Sequence, residues 1–135
     1  MKLIKRTSDL DEVVQKSEDQ RIPDGKYYGE FNNMVFVEVD GCIHDVLAEF
    51  SIFLKHDHPV INYQMIPLEQ WFQSDEPNFL DGLRSFARDK HIRLDEMVGT
   101  IGRITVESQK ETSGWEISRV TNYIPEFDEE IIVSA

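Results

Sequence analysis

Apolar and polar residues alternate through the first half of the chain, which predicts β-strands because successive side chains of a strand point to opposite faces. A first strand is expected over residues 26–39, where three valines share one face. Asp40-Gly41 then predicts a hairpin turn of type I′, which needs positive φ at both central positions. Two further strands are expected over residues 46–55 and 60–66. The second strand carries its apolar face at Val46, Ala48, Phe50, Ile52 and Leu54.

The hydrophobic period changes after the third strand. Apolar side chains over residues 79–87 recur at helical spacing and predict one amphipathic helix. One helical turn over residues 94–98 and two strands, over 101–107 and 115–124, complete the pattern. The predicted fold is therefore mainly β with one central α-helix, in the order strand-strand-strand-helix-strand-strand. That order is the one of a five-stranded OB-like (oligonucleotide/oligosaccharide-binding) barrel, although another small α+β sheet would contain the same elements.

Turn signals divide the chain into three parts. Residues 1–24 are expected to form an N-terminal arm, with a short helix that Ser8 could cap, and a Pro-Asp-Gly turn ends the arm. Residues 25–125 are expected to form the OB-like domain. Residues 126–135 are expected to form an acidic C-terminal tail.

The net negative charge of the chain disfavours some classes of binding partner. The 135 residues carry a formal net charge of −12, and a duplex-DNA binder normally presents a basic field to the phosphates. The acidity fits plain solubility, recruitment of partners by the tail, or imitation of nucleic acid. A lone cysteine, Cys42, and the lack of a basic n-region followed by an apolar segment predict a cytoplasmic protein outside any membrane.

Histidine and cysteine positions do not predict catalytic or metal chemistry. Cys42 and His44 lie about 14 residues before His56 and His58, and a strand of that length would separate the pairs by roughly 46 Å. Cys42 beside His44 lacks a recognisable orienting group or oxyanion element. The chain is therefore expected to be no enzyme, with no catalytic residues, no metal site and no cofactor.

Three short motifs resemble a known family. They are IPDGKY at residues 22–27, LDEMVGTIGRITVE at 94–107 and GWEISRVTNYIP at 114–125. Together they resemble small phage-encoded proteins, found near replication and recombination genes, that are similar to single-stranded-DNA-binding barrels. The resemblance implies an OB-like fold and single-stranded DNA as ligand. The family has more lysine in its last two strands, whereas this chain offsets its basic residues there with Glu107, Glu111 and Glu116.

Single-strand binding needs aromatic platforms for the bases beside cations for the backbone. Candidate residues lie on strand faces turned away from the apolar stripes, and each could instead be a core residue or a solvated partner of a nearby glutamate. The candidates are Phe36, Phe53, Lys55, Arg103, Trp115 and Arg119.

The C-terminal tail is a candidate for binding a protein partner. It resembles the acidic, aromatic-bearing tails with which bacterial single-strand binders recruit repair and replication enzymes, although a disordered, solubilising terminus would have the same composition. The tail candidates are Glu126, Phe127, Asp128, Glu129 and Glu130.

Three functions remain open from the sequence. The favoured one is a non-catalytic, single-stranded-DNA-binding-like module of a phage or mobile-element replication or recombination system. The alternative is an acidic inhibitor, of the anti-CRISPR or anti-restriction type, that binds a basic host nucleic-acid-processing protein by charge mimicry. The third is an accessory protein that forms a homo-oligomer through a strand edge or the arm.

Overall fold

The structure is a computed structural model and describes residues 2–55, 58–69, 88–89, 94–110, 114 and 116–126. The elements within these ranges are β1 (Lys2–Lys5), α1 (Ser8–Asp19), β2 (Gly25–Val39), β3 (Cys42–Ile52), β4 (Val60–Pro67), a 3-10 turn (Leu94–Met97), β5 (Ile101–Lys110) and β6 (Glu116–Pro125). The helix predicted over residues 79–87 lies outside the described residues. Among those that are described, no helix has the length and apolarity needed to cross a bilayer.

The strands form one open sheet in the order β4-β3-β2-β5-β6, with β1 paired to β2. Every pair is antiparallel except β1–β2. The 15 residues of β2 pair with three strands. One edge of β2 pairs with β3, and on the other edge Gly25–Glu30 pairs with β5 and Val35–Glu38 pairs with β1. The mainly β prediction is confirmed, but the sheet has six strands rather than five because the start of the arm adds β1.

The turn between β2 and β3 is the predicted hairpin. Asp40 has φ 51° and Gly41 has φ 82°, and Val39 pairs directly with Cys42. Positive φ at both central residues matches the right-handed twist of the flanking strands, which is why Asp-Gly suits this position.

One face of the sheet encloses an inner core. The rings of Phe31 and Phe50 have centroids 5.0 Å apart, and Tyr123 lies 5.5 Å from each. Phe50 is on β3 and Tyr123 on β6, three strand positions apart, which in a flat sheet would be about 14 Å. The sheet is therefore strongly curled around these rings. The apolar face predicted for β3 is confirmed at Val46, Ala48, Phe50 and Ile52, all 0% exposed.

A pair of glycines lies where this curl brings backbones close together. Gly29 on β2 pairs directly with Gly102 on β5. A Cβ on Gly29 would lie 2.4 Å from the Ser51 carbonyl oxygen, and one on Gly102 would lie 2.3 Å from the Ile124 carbonyl oxygen. Backbone atoms cannot move aside cheaply, so both positions require glycine.

The N-terminal arm packs against the outer face of the sheet. The helix α1 has Thr7 rather than Ser8 as its N-cap, and the Thr7 side chain accepts a hydrogen bond from Leu10 N–H. The buried side chain of Val14 belongs to an outer cluster with Val35, Val37 and Leu47. Helix α1 thus covers the outer face of the sheet at the second half of β2 and at Leu47 of β3.

Two serines join the arm to the outermost strands β4 and β6. The Ser17 hydroxyl accepts a hydrogen bond from the backbone N–H of Tyr63 at 2.7 Å. The Ser118 hydroxyl accepts one from Ile22 N–H at 2.8 Å and donates to the Ile22 carbonyl at 3.0 Å. Ile22 itself belongs to the inner core. The arm therefore bridges the two strands that end the sheet.

Candidate nucleic-acid interface

Tyr28 and Arg103 form the centre of the candidate site, on the outer face of β2 and β5. Their neighbours Tyr27 and Ile104 turn to the inner core, so strand alternation directs Tyr28 and Arg103 outward. The two residues are direct partners in the β2–β5 ladder. The guanidinium carbon of Arg103 lies 5.5 Å from the Tyr28 ring centroid, which is cation–π range.

Two side chains hold the Arg103 guanidinium. Its Nη2 donates to the Tyr28 hydroxyl at 3.4 Å, and its Nε donates to Glu126 Oε1 at 2.9 Å. These hydrogen bonds, first to Tyr28 and then to Glu126, raise the pKa of Arg103 above its ordinary value. The group is a permanent cation, and a phosphate that reaches it must share it with Glu126.

The same outer face carries a row of exposed side chains across four strands. The Phe53 backbone N–H donates to the Tyr28 carbonyl at 2.9 Å, which extends the β2–β3 ladder by one pair. Ile124 on β6 is the ladder partner of Arg103. Phe53 is 39% exposed, Tyr28 50% and Ile124 44%. We call Phe53, Tyr28, Arg103 and Ile124 the exposed row; it measures about 14 Å across three strand spacings.

Lysines lie beside the aromatic part of the exposed row. Lys26 precedes Tyr28 by two residues on the same face of β2. It lines a shallow cavity of about 200 Å³ with Tyr27, Tyr28 and Arg103. Lys55, two residues after Phe53, is exposed. An aromatic platform with cations next to it is the arrangement that single-stranded nucleic acid requires.

Three of the sequence-predicted candidates therefore lie together, and two lie elsewhere. Phe53, Lys55 and Arg103 are on or next to the exposed row. Phe36 is half-buried against the inner core, eight residues or about 26 Å along β2 from Tyr28. Arg119 is half-buried on β6, opposite Glu107 and roughly four residues, or about 13 Å, from Arg103.

The other candidates fall at the limits of the described chain. Trp115 lies outside the described residues, as do Phe127, Asp128, Glu129 and Glu130. Glu126, predicted to face a protein partner with the rest of the tail, instead contacts Arg103. Whether the tail binds a partner stays a prediction.

Sequence reasoning did not select Tyr28, Lys26 or Ile124. Alternation alone separates Tyr27 from Tyr28, since adjacent residues of a strand face opposite sides. Choosing Tyr28 also requires knowing that the first long strand pairs with the fourth in a register that sets Tyr28 against Arg103. The adjacent pair in that ladder is Gly29 with Gly102, and a glycine inside each predicted strand is a sequence signal for a close backbone approach.

The described part of the chain contains no group of three or more histidine, cysteine or carboxylate side chains placed to hold a metal ion. Cys42 is an exposed thiol beside the β2–β3 turn. Comparison with known proteins adds no assignment: no protein-family model, curated protein or solved structure matches this chain.

Proposed function

We propose that this chain is a non-catalytic, OB-like binding module that takes single-stranded DNA across the exposed row. The five long strands pair in the order third-second-first-fourth-fifth, which is the order of an OB barrel opened between its third and fifth strands. The strong curl around Phe31, Phe50 and Tyr123 and the arm across the open side support the same interpretation.

The observation that carries the proposal is the Tyr28–Arg103 pair. It combines an exposed ring, on which a base can stack, with a cation held 5.5 Å from that ring. Phe53 on one side supplies a second ring, and Lys26 and Lys55 supply charge for phosphates. A strand of nucleic acid would cross the β-strands at this end of the sheet.

The position of the arm supports this choice of ligand surface. OB folds commonly bind oligonucleotides on the outer face of their second and third strands, here β3 and β4. In this chain that face is covered, because Val14 of α1 packs over Leu47 and the half-buried Tyr63 and Met65. The outer face at the start of β2 and β5 remains exposed and carries the aromatic and basic side chains.

The net charge of −12 sets the expected strength of binding. Long-range repulsion between the acidic molecule and the phosphates must be overcome by a few local contacts. Binding is therefore expected to be modest and to weaken steeply with added salt.

The direct test is a titration of labelled oligo-dT at low salt, read by fluorescence anisotropy. Tyr28→Ala should weaken binding by about 5- to 150-fold, because stacking of one base contributes roughly 1–3 kcal/mol. Tyr28→Phe should retain most of the affinity, since the ring remains. Arg103→Ala should weaken binding and reduce its salt dependence.

Arg21 provides the matched control. The Arg21 side chain is 55% exposed and its guanidinium pairs with Glu116 at 3.2 Å, whereas the Arg103 side chain is 60% exposed and its guanidinium pairs with Glu126 at 2.9 Å. Arg21→Ala should leave the affinity unchanged. Equal losses of affinity in both arginine variants would show that binding depends only on overall charge. Absence of binding by the wild type would contradict the proposal.

The alternative of an acidic inhibitor is favoured by one observation, the charge of α1. The helix carries five carboxylates, at positions 9, 11, 12, 18 and 19, against the single cation Lys16. A basic nucleic-acid-processing protein could meet this face in place of nucleic acid. That function predicts salt-sensitive binding to a basic nuclease and a flat oligo-dT titration.

A further inference from the structure

A groove between α1 and β4 lies apart from the exposed row. Its volume is about 190 Å³, and it is lined by Val13, Lys16, Ser17, Gln20, Ile61 and Tyr63. None of these residues takes part in the proposed DNA surface. Three of them come from α1, Gln20 is the C-cap of that helix, and the other two are alternate residues of β4.

Both walls of the groove end in exposed aliphatic side chains. Val13 is 41% exposed and Ile61 is 40% exposed. Helix α1 already buries Val14 in the outer cluster, so Val13 contributes little to holding the helix on the sheet. Exposed apolar side chains on two elements that face one cavity are typical of a binding groove.

The groove is pre-formed because a hydrogen bond fastens its two walls together. Ser17, 4% exposed, accepts the Tyr63 backbone N–H at 2.7 Å. The Tyr63 side chain is half-buried, and burial followed by its hydrogen bond with Glu49 raises the pKa of its hydroxyl. A partner entering here would not have to order the walls first, which reduces the cost of binding.

Carboxylates lie beside the groove, whose lining itself contains one charged side chain, the cation Lys16. Asp9 lies one helical turn before Val13, Glu12 adjoins it, and Glu49 approaches the Tyr63 hydroxyl from β3. Lys16 is the one cation on α1, and its Nζ lies 3.8 Å from Glu12 Oε1. Carboxylates therefore outnumber cations around the groove, on a molecule whose net charge is −12.

We propose that this groove docks a basic peptide segment of a partner protein. One apolar side chain of the segment inserts between Val13 and Ile61, and flanking lysines or arginines face Asp9, Glu12 and Glu49. Apolar burial supplies the anchor, and charge complementarity selects a basic sequence.

The test uses the ¹⁵N-labelled full chain and a synthetic peptide of lysines and arginines with one central leucine. Backbone amide shifts should cluster at Val13, Ile61 and Tyr63, and the affinity should fall as salt rises. The same peptide with glycine for leucine should bind about tenfold more weakly, the equivalent of roughly 1.4 kcal/mol of apolar burial.

Substitutions by uncharged polar residues test the contribution of the apolar anchor to peptide affinity without changing the charge of the protein. Ile61→Asn and Val13→Asn should each reduce peptide affinity by about tenfold. Leu3→Asn changes an aliphatic residue that is 48% exposed on β1, away from the groove, and should leave the affinity unchanged. A dispersed amide spectrum for each variant shows that it is folded.

Three outcomes would overturn the docking proposal. They are no amide shifts, shifts spread over all acidic surfaces with equal affinity for both peptides, and an unaltered affinity in Ile61→Asn. The oligo-dT titration is independent, so loss of DNA binding would leave the groove proposal standing, and the reverse also holds.

Discussion

At the scale of single residues, Tyr123 places a hydroxyl group inside the inner core. The side chain is 0% exposed, its hydroxyl donates to the Thr100 carbonyl at 2.9 Å and lies 2.8 Å from Thr100 Oγ1. Burial raises the pKa of Tyr123 to about 12, with the Thr100 hydrogen bond acting in the opposite direction. The neutral hydroxyl therefore has its hydrogen-bond partners inside the core, and its ionisation destabilises the folded state.

This residue predicts a loss of stability in alkali. The folded-state pKa of Tyr123 is about 12 against an ordinary value of 10.0, so the folded chain holds this proton more tightly than the unfolded chain does. The stability it contributes is complete below about pH 10 and disappears as pH rises through about 12. Tyr63, whose pKa is also raised, acts in the same direction.

Urea unfolding from pH 8 to pH 12 measures the effect. Tyr123→Phe should lower the midpoint at pH 8, because about 1 kcal/mol of hydrogen bonding is lost, and should flatten the alkaline decline. A variant whose midpoint falls with pH as steeply as that of the wild type would show that Tyr123 ionises freely in the folded protein.

At the scale of elements, β2 organises the sheet, and the Gly29–Gly102 pair lets its neighbours approach. The sheet bends at this pair. The Tyr28–Arg103 pair of the exposed row is the adjacent pair in the same ladder. A methyl group at either glycine would meet backbone oxygen within 2.4 Å. These glycines therefore connect the curl of the sheet with the placement of Tyr28 opposite Arg103.

Gly102→Ala is expected to lower the free energy of unfolding by about 1–3 kcal/mol, the usual cost of overpacking. Gly29→Ala should act in the same direction. Glu107→Ala, at an exposed position of the same strand, should change stability by less than about 0.5 kcal/mol. Chemical denaturation measures all three, and a neutral Gly102→Ala would contradict the close approach of β5 and β6.

Sequence patterns predicted some elements well and others incompletely. The β2–β3 hairpin follows from local alternation and from Asp40-Gly41, so both strands and the turn are confirmed. Pairing of β1 with the second half of β2 joins residues more than 30 positions apart, and the four residues Lys2–Lys5 are too few to show a hydrophobic period. The central helix predicted over 79–87 lies outside the described residues.

At the scale of the whole molecule, the arm and the acidity together restrict where a ligand can bind. Helix α1 covers the outer face of β3 and β4, while Ser17 and Ser118 tie the arm to the two outermost strands. The exposed row and the α1–β4 groove are two surfaces of the described chain that carry exposed apolar side chains. For each surface we propose a ligand of opposite charge: phosphate at Arg103 and a basic segment at Glu12.

Only part of the candidate site could be predicted from the sequence, because the site depends on which strands pair. Phe53 and Arg103 could be selected from strand faces and residue type, but their meeting through Tyr28 depends on pairing between strands that are distant in sequence. Phe36 resembled Phe53 in its strand pattern, yet it faces the inner core, because Val35 and Val37 on the other face of β2 pack with α1. Local periodicity assigns a side to each residue but does not tell which sides become buried.

The most direct test of the DNA proposal is a two-dimensional amide spectrum of the ¹⁵N-labelled chain during titration with oligo-dT at low salt. The account predicts a contiguous set of shifts at Lys26, Tyr28, Phe53 and Arg103, reversed by added salt and lost in Tyr28→Ala. A spectrum without shifts, or with shifts confined to α1 and β4, would contradict it.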